Sequence, residues 1–487
     1  MRIKNNVPIE LNNIPFSNKD IFISNISNLL NENNAHCISY FAVKHQNIYK
    51  LYCAVANDNS RDIAINTTEI GLFEEIQSLT PKHNHIHVFE REMHEQHGIL
   101  FTGHPWLKPL RHPNNYSFLS IDNNQLHEVG VGPIHAGIIE PGHFRFICDG
   151  EKIHHLEIVL GYQHRGIENM MNGLPDLKKA LLAETIAGDS AVSHALAYTS
   201  AIEGLSNVMP DNKLQLERSI ALEMERMAVH IGDTSALCLD IAYQLGQVVC
   251  EALRTIVINT TQLWCGNRFA KGLIRTKGTN YPLNINMCNT IVQNLNETIN
   301  RYKEMVERIV SLPSLLARFE DIGIVTNEQA MLAGLTGTSA RASGLKRDIR
   351  CTHPFQYYTN INVPIITQSN GDILSRLKQR ISEIEQSFNF IETFIEKLKH
   401  ETSFNHVPTY NLNLKPENLC VSLTEGWRGE ICHTVLTNSQ GEISLYKIKD
   451  PSLHNWTGLA LAVRKQDISD FPICNKSFNL SYCGFDL

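Results

Sequence analysis

The sequence lacks the long apolar run that a membrane-spanning helix requires. No stretch of about 18 apolar residues occurs, and the most apolar segment, 231–250, carries Asp233 and Asp240. The N-terminal residues 1–13 are polar and contain no apolar core of a secretory signal. These absences argue against a helical membrane span, and we expect any membrane association to be peripheral and to run through partner subunits.

The chain also has no excess of basic residues and no closely paired cysteines. It carries 43 Lys and Arg against 50 Asp and Glu, a formal net charge of -7, whereas nucleic-acid binding usually needs a basic face. Its 12 cysteines are spread over 487 residues without a CxxC spacing, and its 22 histidines form no ligand-spaced tract. We therefore expect no nucleic-acid partner, and free thiols in a reducing compartment rather than a disulfide scaffold.

A dinucleotide-binding fingerprint is missing as well. No G-x-G-x-x-G segment follows a predicted strand and opens a helix. The nearest approach, Gly334-Leu335-Thr336-Gly337, is too short. We therefore do not expect this chain to bind NADH.

The length of the chain predicts two or three domains. The first part has the texture of a small α/β module, with β-rich runs at 48–55 and 85–89. Prolines, Pro113 among them, mark a linker after it. The predicted organisation is a module of residues 1–110, a linker of residues 111–128 and a domain of residues 129–487.

Most of the second domain has the periodicity of amphipathic helices. Apolar residues recur at three- and four-residue spacing in segments 214–243, 287–312 and 373–398, and three such helices predict a bundle. The tail, 419–448, alternates apolar and polar residues around 438–441, which predicts a hairpin. The predicted fold class is α+β: a small N-terminal α/β domain, then a mainly helical domain with small β elements near its start and end.

A charged and glycine-marked segment closes the first module. It consists of Glu90-Arg91-Glu92, Gly98-Ile99 and Phe101-Thr102-Gly103-His104-Pro105. The order and spacing resemble the E-R-E…G-I-x-F-x-G-H-P signature of the 30-kDa subunit of respiratory complex I. The resemblance implies a 30-kDa-subunit-like fold for residues 1–110.

Five blocks in the second domain carry a further resemblance. They are Gly132-Pro133-Ile134-His135; Gly161-Tyr162-Gln163-His164-Arg165-Gly166-Ile167-Glu168; Glu225-Arg226 with His230 and Asp233; Arg341-Ala342-Ser343-Gly344 with Asp348 and Arg350; and Gly426-Trp427-Arg428-Gly429-Glu430 with Pro451-Ser452. In this order they resemble the 49-kDa subunit of complex I and the large subunit of nickel–iron hydrogenases, two branches of one family. The two modules in one polypeptide resemble the fused large subunits of hydrogenase-4 and formate hydrogenlyase complexes.

This resemblance implies a subunit of a membrane-bound, energy-converting oxidoreductase complex that couples electron and proton transfer to ion translocation. The implied partners are a small subunit that carries an iron–sulfur cluster and integral membrane subunits of the antiporter type. The implied location is the cytoplasmic side of the inner (plasma) membrane. We expect no cofactor to be held firmly by this chain itself.

The metal ligands of the hydrogenase branch are missing from the sequence. Thiolates bind the nickel and bridge it to iron, and imidazole or carboxylate does not replace them well. The family supplies two CxxC pairs, whose positions here hold Ala187 and Ser190 in one segment and Ser481 and Gly484 in another. We therefore expect no metal site and no activity as a hydrogenase.

Two charged residues are candidates for proton transfer at the cavity that remains. Glu140 resembles the proton-relaying glutamate in the R-x-E-G-H segment of hydrogenases, although Pro141 holds the aligned position. A carboxylic acid in a partly dry pocket can carry a proton near neutral pH, and the alternative is a carboxylate that caps a turn. Arg428 resembles the arginine beside the metal cluster, and its alternative is a structural ion pair with Glu430 or a more distant acid.

Four further residues complete the candidate set. His143 lies in the same segment as Glu140, and His194 ends the pattern around the first cysteine pair. For His194 the alternative is a satisfied core histidine. His164 and Arg165 are implied to lie near the interface with the iron–sulfur subunit, and their alternative is solvated or inter-subunit charge.

The complex I branch suggests a quinone headgroup as another occupant of the cavity. Pro141 holds the position of that branch's histidine, and its tyrosine position falls near Ile186. Tyr162, His143 and Tyr198 are alternatives that spacing does not separate. Two other hypotheses stand beside a redox subunit: a structural scaffold without chemistry of its own, and an active nickel–iron hydrogenase, against which the missing cysteines argue.

Overall fold

The computed structural model describes residues 1–112, 114, 116–123, 125–135, 139–401 and 407–487, so that Pro113 of the predicted linker lies outside the described residues. The first 110 residues contain strands β1 (Arg2–Ile3), β2 (Ile9–Glu10), β3 (Ala35–His45), β4 (Ile48–Asn57), β5 (Asp62–Gly71), β6 (Ile76–Gln77) and β7 (Phe101–Thr102), and helices α1 (Lys19–Leu30) and α2 (His87–His97). Strands β1, β5, β4 and β3 form one antiparallel sheet in that order. Helices α1 and α2 pack against this sheet, and the predicted strand at 48–55 lies within β4.

The predicted strand at 85–89 is wrong. The segment starts in a 3-10 turn, Asn84–Ile86, and continues into α2, which ends where Gly98 adopts a left-handed conformation with φ of 70°. A short apolar run cannot distinguish a buried strand from one buried face of a helix. Val88, Phe89 and Met93 are buried here from a helix.

The second domain opens with a small sheet and continues in helices. Its elements before residue 400 are β8 (His127–Val131), β9 (His143–Asp149), β10 (Lys152–Val159), α3 (Ile167–Gly173), α4 (Asp176–Ala183), α5 (Ala191–Leu205), α6 (Asn212–Asp240), α7 (Gln244–Cys265), α8 (Ile285–Ser311), α9 (Pro313–Leu316), α10 (Asn327–Ala333), α11 (Gly337–Ala342), α12 (Ile349–Thr352) and α13 (Ile373–Leu398). The three predicted amphipathic helices are confirmed as α6, α8 and α13. Helix α6 packs between α7 and α13, and in the described residues no helix is long and apolar enough to cross a membrane.

Side-chain caps explain where the three long helices begin. Asp211, Asn284 and Asp372 each accept a hydrogen bond from a backbone N–H in the first turn of α6, α8 and α13, respectively. Such caps satisfy amide groups that have no partner within the helix. The start of each helix is therefore encoded locally.

A second small sheet lies near the C-terminal end of the described chain. Its strands are β11 (Asn418–Gly426), β12 (Gly429–Thr437) and β13 (Ile443–Lys449), followed by helices α14 (Ser452–Ala462), α15 (Phe471–Phe478) and α16 (Tyr482–Asp486). The predicted hairpin is confirmed as β12–β13. A tighter turn at Trp427 and Arg428, which the sequence analysis did not predict, joins β11 to β12. Strand β2 of the first module extends this sheet by pairing with β11.

The packing of α5 positions the candidate site. This helix lies against β11 and β12, so residues 187–190, which precede it, come next to the β11–β12 turn. Helix α15 packs against α6 and delivers residues 479–483 to the same place. The predicted α+β class is confirmed, with the helical bundle and the second sheet meeting at this point.

Candidate functional site

A cavity of about 680 Å³ opens where five chain segments meet. Its walls include Glu140, Asp189, Arg428, Asn479 and Cys483. Apolar side chains cover much of the remaining wall, namely Val131, Ile139, Phe471, Pro472, Leu480 and Tyr482, and further polar side chains complete it, namely His135, Asp240, Asn475, Lys476 and Ser481. A mostly apolar pocket with a few converging polar groups is the usual form of a binding site.

Arg428 is the fixed cation of this cavity. Its guanidinium group donates to both carboxylate oxygens of Asp189 at 2.6 and 2.7 Å and to the carbonyl of Asn479 at 2.6 Å, and it lies 3.9 Å above the ring of Trp427. Burial lowers the pKa of Arg428, but the Asp189 carboxylate outweighs it and holds that pKa above its ordinary value. Arg428 is thus both a cavity residue and an ion-pair partner. Its partner is Asp189, because Glu430 pairs with Lys449.

Glu140 lines the same cavity as Arg428. Its carboxylate accepts a hydrogen bond from the backbone N–H of Cys483 at 3.1 Å. The thiol of Cys483 has a pKa above its ordinary value because it is buried, and the nearby Glu140 adds to this effect. The two residues that the sequence pointed to for proton transfer therefore face one space.

The residues present do not fit a nickel–iron centre. Ala187, Ser190, Ser481 and Gly484 offer no thiolate, and thiolates are what such a centre needs. At Gly484 even a Cβ atom would lie 2.7 Å from Cγ of Asp450. Among the described residues no group of three or more His, Cys, Asp or Glu side chains is placed to hold a metal ion.

His194 is fully buried behind the cavity and does not line it. Its Nε2 lies 3.0 Å from Oδ2 of Asp450, and its Nδ1 lies 3.1 Å from Nε2 of His433. Asp189, Asp450 and His433 were missed by the sequence analysis. Asp189 lies between Ala187 and Ser190, the positions of the first cysteine pair, and Asp450 directly precedes Pro451-Ser452, so adjacency to those motifs was the available signal.

His143 does not reach the cavity. It opens β9 and lies against the ring of Phe118 at 5.2 Å, and burial together with nearby Arg145 lowers its pKa. Successive side chains of a strand point to opposite faces. The next residue, Phe144, faces the rings of Phe471 and Tyr482 at the cavity, so His143 faces away from it.

His164 and Arg165 lie together on an exposed loop before α3. Nδ1 of His164 is 2.7 Å from the carbonyl of Asp486, and Arg165 donates to the carbonyls of Thr185 and Ile186 at 2.9 and 3.1 Å. This loop also donates two backbone N–H groups to the carboxylate of Asp486, whose pKa burial raises to about 6. The loop therefore presents a basic, ordered surface outside the cavity.

The alternative tyrosines for quinone binding also lie outside the cavity. Tyr162 is 40% exposed on the loop before α3, and Tyr198 is buried with its hydroxyl 3.4 Å from the carbonyl of Asp176. Neither lines the cavity, whereas Tyr482 does. Among the described residues, the tyrosine that lines this cavity is thus Tyr482, which was not among the candidates from the sequence.

A buried network of charged side chains starts at the cavity wall and runs into the helical bundle. It consists of the carboxylates of Glu223, Asp233, Asp348, Glu383 and Glu425, the guanidinium groups of Arg226, Arg341, Arg350 and Arg380, and the imidazole of His230, all at most 3% exposed. The link to the cavity is Asn479, whose amide donates to Asp233 at 2.6 Å. Motif residues that lie far apart in the sequence thus meet in one cluster.

Direct contacts connect the members of this network. Arg380 contacts Asp233 at 2.7 Å, and His230 contacts Glu383 at 3.0 Å. Arg341 donates to Glu383 at 3.0 Å and to Glu425 at 2.7 Å. At the far end the guanidinium group of Arg350 bridges the two acids Asp348 and Glu223 at 2.7 and 2.9 Å. Longer contacts, of 4.0 Å between His230 and Asp233 and of 3.8 Å between Arg341 and Asp348, join these groups into one network.

The network has one carboxylate more than it has guanidinium groups. If every carboxyl were ionised and His230 neutral, the cluster would carry one uncompensated buried charge, which is costly. Burial raises the pKa of Glu425 to about 7, and the neighbouring Arg341 only partly offsets this. Glu425 is therefore the carboxyl of the network that is best suited to take up a proton near neutral pH.

Two protein-family models match the chain. The model of the 49-kDa subunit of the respiratory-chain NADH dehydrogenase matches residues 240–486, and that of the 30-kDa subunit matches residues 19–122. Formate hydrogenlyase subunit 5 of Escherichia coli (strain K12) is 25% identical over 441 residues, 85% of this chain and 77% of that protein. Hydrogenase-4 component G of the same strain is 24% identical over 468 residues, 90% of this chain and 81% of that protein. The carbon monoxide-induced hydrogenase of Rhodospirillum rubrum is 27% identical over 354 residues, 72% of this chain and 96% of that protein.

Proposed function

The chain belongs to the family of the 49-kDa subunit of the respiratory-chain NADH dehydrogenase, and we propose that it is the fused 30-kDa/49-kDa-type subunit of a membrane-bound, energy-converting oxidoreductase complex. In this complex its cavity takes part in proton and electron transfer without a nickel–iron centre. The similar proteins of E. coli are components of formate hydrogenlyase and hydrogenase-4. The chain therefore works as one of several subunits.

The shared cavity of Glu140 and Arg428 carries this proposal. Arg428 supplies a fixed positive charge that would stabilise an anion formed in the cavity, because a charge held in place needs no reorganisation during a reaction. Glu140 is half-buried beside it and can exchange a proton with a bound molecule. Together these residues provide what a reaction that moves an electron and a proton requires.

The apolar part of the cavity wall favours a quinone headgroup as the electron acceptor. Ile139, Phe471 and Leu480 would cover a ring, while Arg428 would face a carbonyl oxygen. Reduction of a quinone takes up two electrons and two protons, and Glu140 is placed to deliver one of the protons. The acceptor hypothesis is tested by competition with an added short-chain quinone.

The partners are proposed from the exposed surface around His164 and Arg165. The neighbouring apolar side chains Tyr162, Met170, Leu177 and Leu181 are 38 to 46% exposed, and a mixed apolar and basic surface is typical of a subunit interface. We assign this surface to a small subunit with an iron–sulfur cluster as the electron donor. Antiporter-like membrane subunits on the cytoplasmic side of the membrane would use the released free energy for ion translocation.

The charge network provides a physical basis for coupling. A change of charge in the cavity alters the electrostatic potential at Asp233, which is linked to the cavity through Asn479. Since burial raises the pKa of Glu425 to about 7, that change can shift the protonation of Glu425. Charge movement in the cavity is thereby converted into charge movement inside the bundle.

Replacement of Glu140 by Gln in the assembled complex tests the proposal. Electron flow from reduced methyl viologen to decylubiquinone is expected to fall at least tenfold while the set of assembled subunits stays unchanged. Glu151→Gln, which alters an exposed carboxyl outside the cavity, serves as the matched control and is expected to keep full turnover. Normal turnover in Glu140→Gln would favour a purely structural role for the chain.

The partner assignment has its own test. Purification of the complex through a tag on this chain is expected to recover an iron–sulfur small subunit and antiporter-like membrane proteins, identified by mass spectrometry. Substitution of Leu177 and Leu181 by Ser should release the small subunit and leave the chain folded. Recovery of the chain without either kind of partner would contradict the assignment.

A further inference from the structure

Four buried polar side chains form a single hydrogen-bonded row behind the cavity. Asp450 lies 3.0 Å from Nε2 of His194, His194 Nδ1 lies 3.1 Å from Nε2 of His433, and His433 Nδ1 lies 2.8 Å from the hydroxyl of Tyr446. None of the four is more than 1% exposed. Buried polar groups normally have partners, but a row of titratable groups this long exceeds what packing requires.

Rigid elements hold the row in place. His194 lies in the first turn of α5, His433 in the middle of β12, and Tyr446 in β13, which pairs with β12. Asp450 follows β13 and accepts a hydrogen bond from the backbone N–H of Ser452 at 2.7 Å. The four groups therefore keep their order and spacing.

One end of the row lies directly behind the cavity wall. A Cβ at Gly484 would meet Oδ2 of Asp450 at 2.8 Å and Oγ of Ser481 at 2.9 Å, and Ser481 lines the cavity. The Asp450 carboxylate and the Ser481 hydroxyl therefore border the same point beside the Cα of Gly484. A proton that moves between the row and the cavity would cross this point.

The other end of the row is closed. Tyr446 belongs to a buried apolar cluster with Ile167, Ala201, Val435 and Ile448. In the described part of the chain no hydrogen bond leads on from its hydroxyl beyond His433. The row is thus not a channel through the protein, and a proton that enters it must leave by the cavity again.

The charges around Asp450 decide which protonation state the row adopts. Arg428 faces Asp450 from the cavity side, but its charge is already matched by the bidentate contact with Asp189. The remaining candidate counter-charge is an imidazolium at His194, since burial and the neighbouring His194 keep the pKa of His433 well below its ordinary value. An Asp450 carboxylate next to a charged His194 leaves no net buried charge.

We infer that Asp450 and His194 form the proton store of the cavity, and that His433 and Tyr446 are positioning residues that keep His194 in the correct orientation. This inference rests on the proposed function. In the charged state, His194 donates through Nε2 to Asp450 and through Nδ1 to His433, while His433 donates through Nδ1 to the oxygen of Tyr446. The Nε2 proton moves to Asp450 and from there past Ser481 to an acceptor in the cavity. His194 is left neutral until a proton returns by the same path, so no oxidant or reductant is involved.

Nitrogen-15 NMR of the histidine side chains tests the store without any turnover assay. In the full-length chain labelled with ¹⁵N-histidine at pH 7, His194 is expected to show two protonated ring nitrogens and His433 one, at Nδ1. Signals are assigned with His194→Gln and His433→Gln. Asp450→Asn is expected to remove the second proton from His194, and Tyr446→Phe to leave His194 charged while it perturbs His433. A neutral His194 in the unmodified chain would overturn the inference and leave the proposed function intact.

Turnover of the assembled complex supplies the second measurement. Asp450→Asn is expected to slow methyl viologen–decylubiquinone electron transfer at least tenfold, with the loss greatest at alkaline pH where protons are scarce, and Asp450→Glu should restore part of the rate. Full turnover in Asp450→Asn would show that the store is not used. If instead Glu140→Gln retains full activity while the NMR result holds, the proposed function fails and the protonated pair stands.

Discussion

The cavity rim and the charge network next to it differ in how far their charged side chains are exposed to solvent. At the rim a single guanidinium group, Arg428, faces a carboxylate, Asp189, whose side chain is 37% exposed. In the network, five carboxylates and four guanidinium groups are buried almost completely. The rim is open to exchange with a bound molecule, whereas the network is sealed from solvent.

This difference indicates which part of the site sets stability and which part performs chemistry. A buried charge without its partner is strongly destabilising, so the ion pairs of the network should contribute more to the stability of the fold than the charges at the rim do. An exposed charge loses little when its partner is removed, so rim residues can be adapted to a reaction. Of the positions that resemble metal-ligand sites, Ser481 lines the cavity, whereas Ala187 and Ser190 are buried next to the lining residues Gly188 and Asp189.

The largest expected effect of a substitution is therefore in the network. Arg350→Ala should lower the free energy of unfolding by about 3–5 kcal/mol, because the carboxylates of Asp348 and Glu223 both lose their shortest contact with a guanidinium group. Urea unfolding followed by circular dichroism measures this. Arg308→Ala, at an exposed position of α8, is the matched control. Similar small losses of the free energy of unfolding in both variants would show that the network does not stabilise the fold more than an exposed charge does.

A smaller effect is expected from the surplus carboxylate. The pKa of the Glu425 carboxyl rises from 4.5 in the unfolded chain to about 7 in the folded one. The protonated carboxyl therefore stabilises the folded chain most fully below pH 4.5, and this stabilisation is lost as the pH rises through about 7. The free energy of unfolding should fall between pH 5.5 and pH 8.5, and in Glu425→Gln this fall should be smaller by about 1–3 kcal/mol. Unfolding curves at the two pH values measure the change. An unaltered pH dependence would contradict an exchangeable proton at Glu425.

The smallest effect on stability is expected at the rim. Arg428→Ala should lower the free energy of unfolding by about 1–2 kcal/mol, since the Asp189 it leaves behind can be solvated. The same variant should nevertheless lose most of the turnover of the assembled complex, because the fixed cation of the cavity is gone. Differential scanning fluorimetry and the dye–quinone assay measure the two quantities. A large loss of stability in this variant would show that Arg428 stabilises the fold as the buried network residues do.

Local patterns predicted most of the fold but only part of the site. The helices α6, α8 and α13 could be predicted because each buries one long apolar stripe and opens with a capping side chain. The segment 85–89 was mistaken for a strand because a short apolar run carries no period. Glu140 and Arg428 were identified as candidates, but their common cavity depends on the packing of α5 and α15, which no local pattern encodes.

The network and the buried row show the same limit. Arg226, His230, Asp233, Arg341 and Arg350 belong to recognisable motifs, whereas their partners Glu383 and Glu425 lie on α13 and β11 without a distinctive pattern. Likewise His433 and Tyr446 look like ordinary alternating residues of a hairpin. Their roles appear only when β12 is packed against α5, because a long-range hydrogen bond leaves no trace in the spacing of either partner.

The nickel content of the active complex shows whether the cavity works without a nickel–iron centre. A complex purified with full dye–quinone turnover should contain far less than one nickel atom per chain by plasma mass spectrometry. Thiolate donors are absent from the positions where a nickel–iron centre would need them, so activity must not depend on the metal. One nickel atom per chain, with turnover lost when the metal is removed, would show that the activity depends on a nickel centre after all.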